Sequence, residues 1–156
     1  MAAEPTTVRH TLMVDASCDH RRQIVGVGIV VHQARKPGRN GLVIDQVREA
    51  YRGVPPGLAE MFAVLRALEI SAERGFQIVK VRSDYNYMRR QLKDAHERGE
   101  GHDRPDLQGR ILRLTSQFDE VKFAYQPRSK NQNAHKLARA AAREASPTIR
   151  SDLFAP

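Results

Sequence analysis

Three apolar, β-branched segments crowd into the first third of the chain, and the links between them suit hairpins rather than crossovers. Residues 11–17 (TLMVDAS), 23–32 (QIVGVGIVVH) and 42–51 (LVIDQVREAY) read as strands. Five residues separate the first two and nine separate the next two. A parallel crossover needs roughly a dozen or more, so an antiparallel meander is expected. The period then changes. In residues 57–74, Leu58, Met61, Phe62, Leu65 and Leu68 recur at helical spacing, entered at Pro55-Pro56 and left at Gly75. Residues 77–83 read as a fourth strand and 121–125 as a fifth. Residues 84–95, 107–118 and 131–145 read as helical, with a polar loop over 96–105. Three strands followed by alternating helices and strands predict an α/β fold. Its sheet is mixed and five-stranded, three antiparallel strands and then parallel ones, with helices on both faces. The predicted domain spans 8–146, and 147–156 reads as a flexible tail.

Composition narrows the function. Of 156 residues, 40% are hydrophobic and 28% charged, which predicts a folded soluble domain. The longest apolar run, 25–31, is strand-sized, and residues 1–9 carry Glu4 and Pro5 rather than a signal-peptide core. Cys18 is the one cysteine, so neither an intrachain disulfide nor a Cys/His zinc centre is available. These features predict a cytoplasmic protein without membrane contact. Lys and Arg number 26 against 18 Asp and Glu, a net charge of +8. Residues 121–150 alone hold seven bases and one acid. That excess suits a polyanionic partner, although a solvated helix face explains it equally well.

Three acids stand at informative places. Asp15 interrupts the first apolar strand, Glu60 lies in the first turn of the first helix, and Asp84 follows the fourth strand. Taken singly, Asp84 reads as a helix N-cap and Glu60 as a favourable first-turn acid. Taken together, with the first and fourth strands adjacent, the three can converge. Convergent carboxylates call for hard divalent cations.

With these acids in place, the sequence resembles the ribonuclease H type 1 family. The resemblance is carried by VDAS (14–17), AEMFAVLRALE (59–69), VRSDYNYM (81–88) and PRSKNQNAHKLARAAA (127–142). It implies a metal-dependent endonuclease that cuts the RNA strand of RNA/DNA hybrids with two divalent cations. The products would be a 5′-phosphate and a 3′-hydroxyl. The first three metal-site residues carry over to Asp15, Glu60 and Asp84. The family's fourth is an aspartate four residues after an asparagine; that asparagine is Asn131, and the fourth position holds His135. Imidazole suits Mn²⁺ better than Mg²⁺, so His135 is expected as a ligand that favours Mn²⁺. The alternative is that it only packs or touches phosphate.

Other expectations follow from the same resemblance. Arg128, seven residues before His135, matches the arginine of a shorter-loop branch and is expected at the scissile phosphate or leaving group. Ser17, Asn86, Lys130, Asn131, Lys136 and Arg139 are expected at nucleic acid, and Lys136, Arg139 and Arg143 of the last helix are expected to hold its backbone with salt-sensitive affinity. The chain departs from the family in its missing loop histidine, in VPPG at 54–57, in Ala16 and in having no tryptophan. Two other readings stay open: a hybrid-binding module with weak or no catalysis, and a junction-cutting DNA nuclease on the same fold. The chain is expected to be monomeric. Residues 150–154 (RSDLF), from Arg150 to Phe154, resemble peptides that dock on a replication sliding clamp.

Overall fold

The first strand, β1 (Arg9–Asp19), lies inside the sheet with a partner on each side. It pairs antiparallel with β2 (Ile24–Ala34), which pairs antiparallel with β3 (Leu42–Arg52). The predicted meander is therefore present. On its other side β1 pairs in parallel with β4 (Ile78–Ser83), and β4 pairs in parallel with β5 (Glu120–Tyr125). The structure, a computed structural model, describes residues 8–36 and 41–153.

Helices cover both faces, and the strand period shows how. On β2, Val25, Val27, Ile29 and Val31 belong to the main core with Phe62, Leu65 and Leu68 of α1 (Ala59–Glu73). The alternate positions, Gly26 and Gly28, meet α4 (Gln132–Glu144). A Cβ on Gly28 would fall on the Ala134 carbonyl oxygen and lie 2.6 Å from the Ala138 amide. Glycine on the strand and Ala134, Ala138, Ala141 and Ala142 on the helix let the two backbones approach closely. The alanine-rich composition of α4 is thus a packing requirement as well as a helix-forming one.

Three expectations change. The sheet has six strands, not five. The sixth, β6 (Pro147–Ile149), pairs in parallel with β3 and comes from the segment read as a tail. Arg150 holds it down. Its guanidinium makes two bonds to Glu69, at 2.9 and 3.1 Å, and stands over the Phe62 ring. Leu153 is buried in the core, so the clamp-docking reading loses one of its two apolar anchors; Phe154 lies outside the described residues. The helix expected from Asp84 begins instead at Met88, as a π-helical stretch (Met88–Asp94) leading into α2 (Ala95–Arg98). The Tyr85 amide donates to Ser83 Oγ and the Met88 amide to the Tyr85 carbonyl, which holds 84–87 as a turn. The third predicted helix is shorter than expected: α3 (Leu107–Leu114) is capped by Asp106, whose carboxylate accepts from the Gly109 amide. Among the described residues, no helix is long and apolar enough to cross a membrane.

Candidate active site

The register of β1 and β4 builds the site. Val14 lies opposite Ser83, the last residue of β4, so Asp15 in β1 and Asp84 just after β4 emerge side by side at the carboxyl end of the parallel β1–β4 pairing. Such ends are where α/β sheets bind ligands. Glu60, the second residue of α1, reaches the same point. Ligand atoms of Asp15, Glu60 and Asp84 all lie within 4.8 Å of one another. The three acids expected to converge do so.

Their environment is costly for negative charge. Asp15 is 1% exposed at its side chain and Asp84 7%. Burial pushes the Asp15 carboxyl above its ordinary range, opposed by a hydrogen bond to His135 and reinforced by Asp84. Glu60 is raised to about 7, first by burial and then by the charges of Asp15 and Asp84. Asp15 Oδ1 and Glu60 Oε2 are buried without a hydrogen-bond partner. Unpartnered buried carboxylate oxygens are expensive. A hard divalent cation held by oxygen ligands relieves both the repulsion and the missing bonds, so this donor set fits Mg²⁺ or Mn²⁺.

The helix α4 brings up the fourth position. His135 Nδ1 lies 2.7 Å from Asp15 Oδ2. This leaves Nε2 as the ring's second ligand-capable nitrogen, the arrangement in which a carboxylate orients a metal-binding histidine. Arg128, 72% exposed, reaches Asp84 with Nε 3.3 Å from Oδ2.

Of the residues expected at nucleic acid, Asn86, Lys130, Lys136 and Arg139 are exposed. Ser17 is half-buried, two residues beyond Asp15 on the same strand face. Asn131 is a correction. It is 2% exposed, and both ends of its amide are used inside the protein. Nδ2 donates to the Val14 carbonyl at 2.8 Å, and Oδ1 accepts from Gln126 Nε2 at 2.7 Å. The Gln126 amide in turn donates to the Ser83 carbonyl at 2.9 Å. Asn131 and Gln126 thus tie the start of α4 to the residues immediately before Asp15 and Asp84. A glutamine after a short strand carries no sequence signal of that role. A groove of about 750 Å³ borders the site. Leu58 just before α1, Met61 of α1, Tyr85 and Tyr87 after Asp84, and Arg104 from the polar loop line it.

A mixed sheet in this order, with acids where its central parallel pairing ends, is the ribonuclease H-like fold. Solved structures agree. An RNase H1 from Halobacterium salinarum superposes with a TM-score of 0.67 at 23% identity, covering 88% of this chain and 99% of its own. The N-terminal RNase H domain of a Mycobacterium tuberculosis protein gives 0.67 at 21%, covering 88% and 96%. LC11-RNase H1, solved in complex with an RNA/DNA hybrid, gives 0.64 at 19%, covering 87% and 98%. The chain belongs to the reverse transcriptase-like family, whose profile matches residues 13–141. Among curated proteins, no match is found.

Proposed function

We propose that this protein is a metal-dependent endonuclease that hydrolyses the RNA strand of RNA/DNA hybrids. One observation carries the reading: three carboxylates from separate elements converge within 4.8 Å, with two buried oxygens unpartnered. A binding module gains nothing from acids that repel its ligand, whereas a nuclease needs them to hold cations.

Asp15, Glu60 and Asp84 would hold two divalent cations, with His135 contributing Nε2 and tilting the preference toward Mn²⁺. The chemistry such ions supply is activation of water and stabilisation of the leaving 3′-oxygen, giving 5′-phosphate and 3′-hydroxyl ends. Asp15, the most buried acid, is fixed by His135 and by the Asn131 bond to the preceding carbonyl. Arg128 would neutralise the scissile phosphate once a substrate competes with Asp84 for its guanidinium. Exposed Lys130, Lys136 and Arg139, with Asn86 and Ser17, supply backbone contacts that carry no sequence information. A monomer in a reducing cytoplasm, where the Cys18 thiol stays free, suits this activity.

The test is cleavage of end-labelled RNA/DNA hybrid, duplex DNA and a four-way junction, each with Mg²⁺ or Mn²⁺. The reading expects cutting of the RNA strand of the hybrid alone. Cutting of the junction in preference, or binding of hybrid without cutting in either metal, would replace it by one of the other two readings.

A further inference from the structure

A second concave surface begins beside the acid cluster and runs away from it. It is a groove of about 450 Å³ between the β1–β2 turn and the outer face of α4. Ser17, His20 and Arg21 form one wall, and Arg139 and Arg143 form the other. The two arginines of α4 are four residues apart, one helical turn, and so project on one face. Among the described residues, Arg21, Arg139 and Arg143 have no carboxylate within salt-bridge distance.

The nearby acids offset them only in part. The Asp19 carboxylate lines the same groove, but its Oδ1 accepts from the Arg21 and Arg22 amides, both at 3.1 Å. Glu144 at the end of α4 faces Arg48 at 3.7 Å.

The groove is also held in shape. Arg22 turns away from it and donates to the Ala142 carbonyl at 2.8 Å and the Ala145 carbonyl at 3.3 Å. Ala142 lies in the last turn of α4 and Ala145 at its C-cap, and neither carbonyl has a partner within the helix. One side chain therefore satisfies the helix end and staples the β1–β2 turn to it. The Asp19 bonds fix the turn itself. Three arginines gathered with a single carboxylate on a rigid concave surface repel one another, and an anionic ligand relieves that cost.

We infer that this groove binds the phosphodiester backbone of the nucleic-acid substrate, leading it from Ser17 away from the acid cluster along α4. The inference rests on the nuclease reading and adds to it the β1–β2 turn, through His20 and Arg21, and a structural role for Arg22. Arginine suits the task, because its planar fork matches phosphate oxygens.

The test is fluorescence anisotropy of a labelled RNA/DNA hybrid with the full chain in EDTA, where no cleavage occurs, over a salt series. Replacing Arg139 and Arg143 together by alanine is expected to weaken binding at least about tenfold near 0.1 M salt. It should also reduce the log–log salt slope by about two. Arg21→Ala should reduce the slope by about one. Lys122→Ala, an exposed cation on β5 outside the groove, should leave affinity within about twofold. Arg22→Ala keeps the groove's charges, and about three- to tenfold weaker binding by the folded variant is expected from loss of the staple. The inference is overturned if the double variant binds like wild type, or if Lys122→Ala loses as much. Wild-type affinity in Arg22→Ala overturns the staple. A groove that fails this test alongside normal hybrid cleavage leaves the nuclease reading standing. Groove-dependent binding without cleavage in any metal sinks the nuclease reading and keeps the groove.

Discussion

His135 Nδ1 stands 2.7 Å from Asp15 Oδ2, so the least exposed acid of the site and the imidazole of α4 form one unit. The carboxylate fixes the ring, and Nε2 is the nitrogen that remains for a ligand. Substituting His135→Ala should cut Mn²⁺-supported hybrid cleavage by roughly 10- to 100-fold. His135→Asp should raise the Mg²⁺-to-Mn²⁺ rate ratio, because a carboxylate suits the harder ion. Initial rates in each metal measure both effects. Equal rates for wild type and His135→Ala would take His135 out of the chemistry.

Glu60 makes the site pH-sensitive in the absence of divalent ions. Its carboxyl is raised from 4.5 to about 7, by burial first, so the folded protein binds that proton more tightly than the unfolded chain does. The resulting stabilisation is full below about pH 4.5 and is lost as pH rises through 7. In EDTA, Glu60→Gln should therefore stabilise the protein relative to wild type at pH 8, by on the order of 2 kcal/mol, with the gain fading toward pH 5. Urea denaturation at the two pH values reads this. For the same reason, divalent-ion affinity of wild type should climb up to about pH 7 and level off above it, since binding must displace the proton.

Asn131 should behave as a structural residue. Removing its amide leaves the Val14 carbonyl and the Gln126 side chain unpaired in a buried setting. Asn131→Ala is expected to cost about 2 kcal/mol of stability in urea titration. Hybrid affinity of the folded fraction in EDTA should stay at the wild-type level. A loss of affinity without loss of stability would return Asn131 to the substrate interface.

Much of this architecture is legible in the residues. The meander follows from β-branched runs with short links, and α1 follows from its 3.6-residue period. The acids are visible because Asp15 interrupts an apolar strand, Glu60 opens a helix and Asp84 follows a strand. What the sequence conceals depends on contacts between distant segments. Pro147–Ile149 is too short to announce a strand, and its place beside β3 relies on Arg150 reaching Glu69, 81 residues away. Asn131 reads as a surface amide until its two partners, Val14 and Gln126, are known. The Ser83–Tyr85 turn that delays the second helix is a local side-chain bond competing with helix formation.

The C-terminal segment supports the fold through an ion pair. Arg150 and Glu69 are 13% and 19% exposed at their side chains. Hydrogen bonds from Arg150 and Arg66 hold the Glu69 carboxyl below its usual range, outweighing the opposing effect of burial. A depressed carboxyl contributes stability above its unfolded value of 4.5, and that contribution disappears as pH falls through the folded value. Arg150→Ala should thus destabilise by on the order of 2 kcal/mol at pH 7 and by less at acid pH, where Glu69 takes up its proton. Deleting 147–156 should destabilise at least as much, since Leu153 also leaves the core. Thermal melts at neutral and at acid pH check this pair of variants.

The central claim is that Asp15, Glu60 and Asp84 act together as a trap for divalent cations. Anomalous diffraction from crystals of the protein soaked in saturating Mn²⁺ examines it directly. The account predicts manganese bonded to oxygens of all three acids, with His135 Nε2 on one ion. An intact sheet whose three carboxylates hold no manganese at saturation would contradict it.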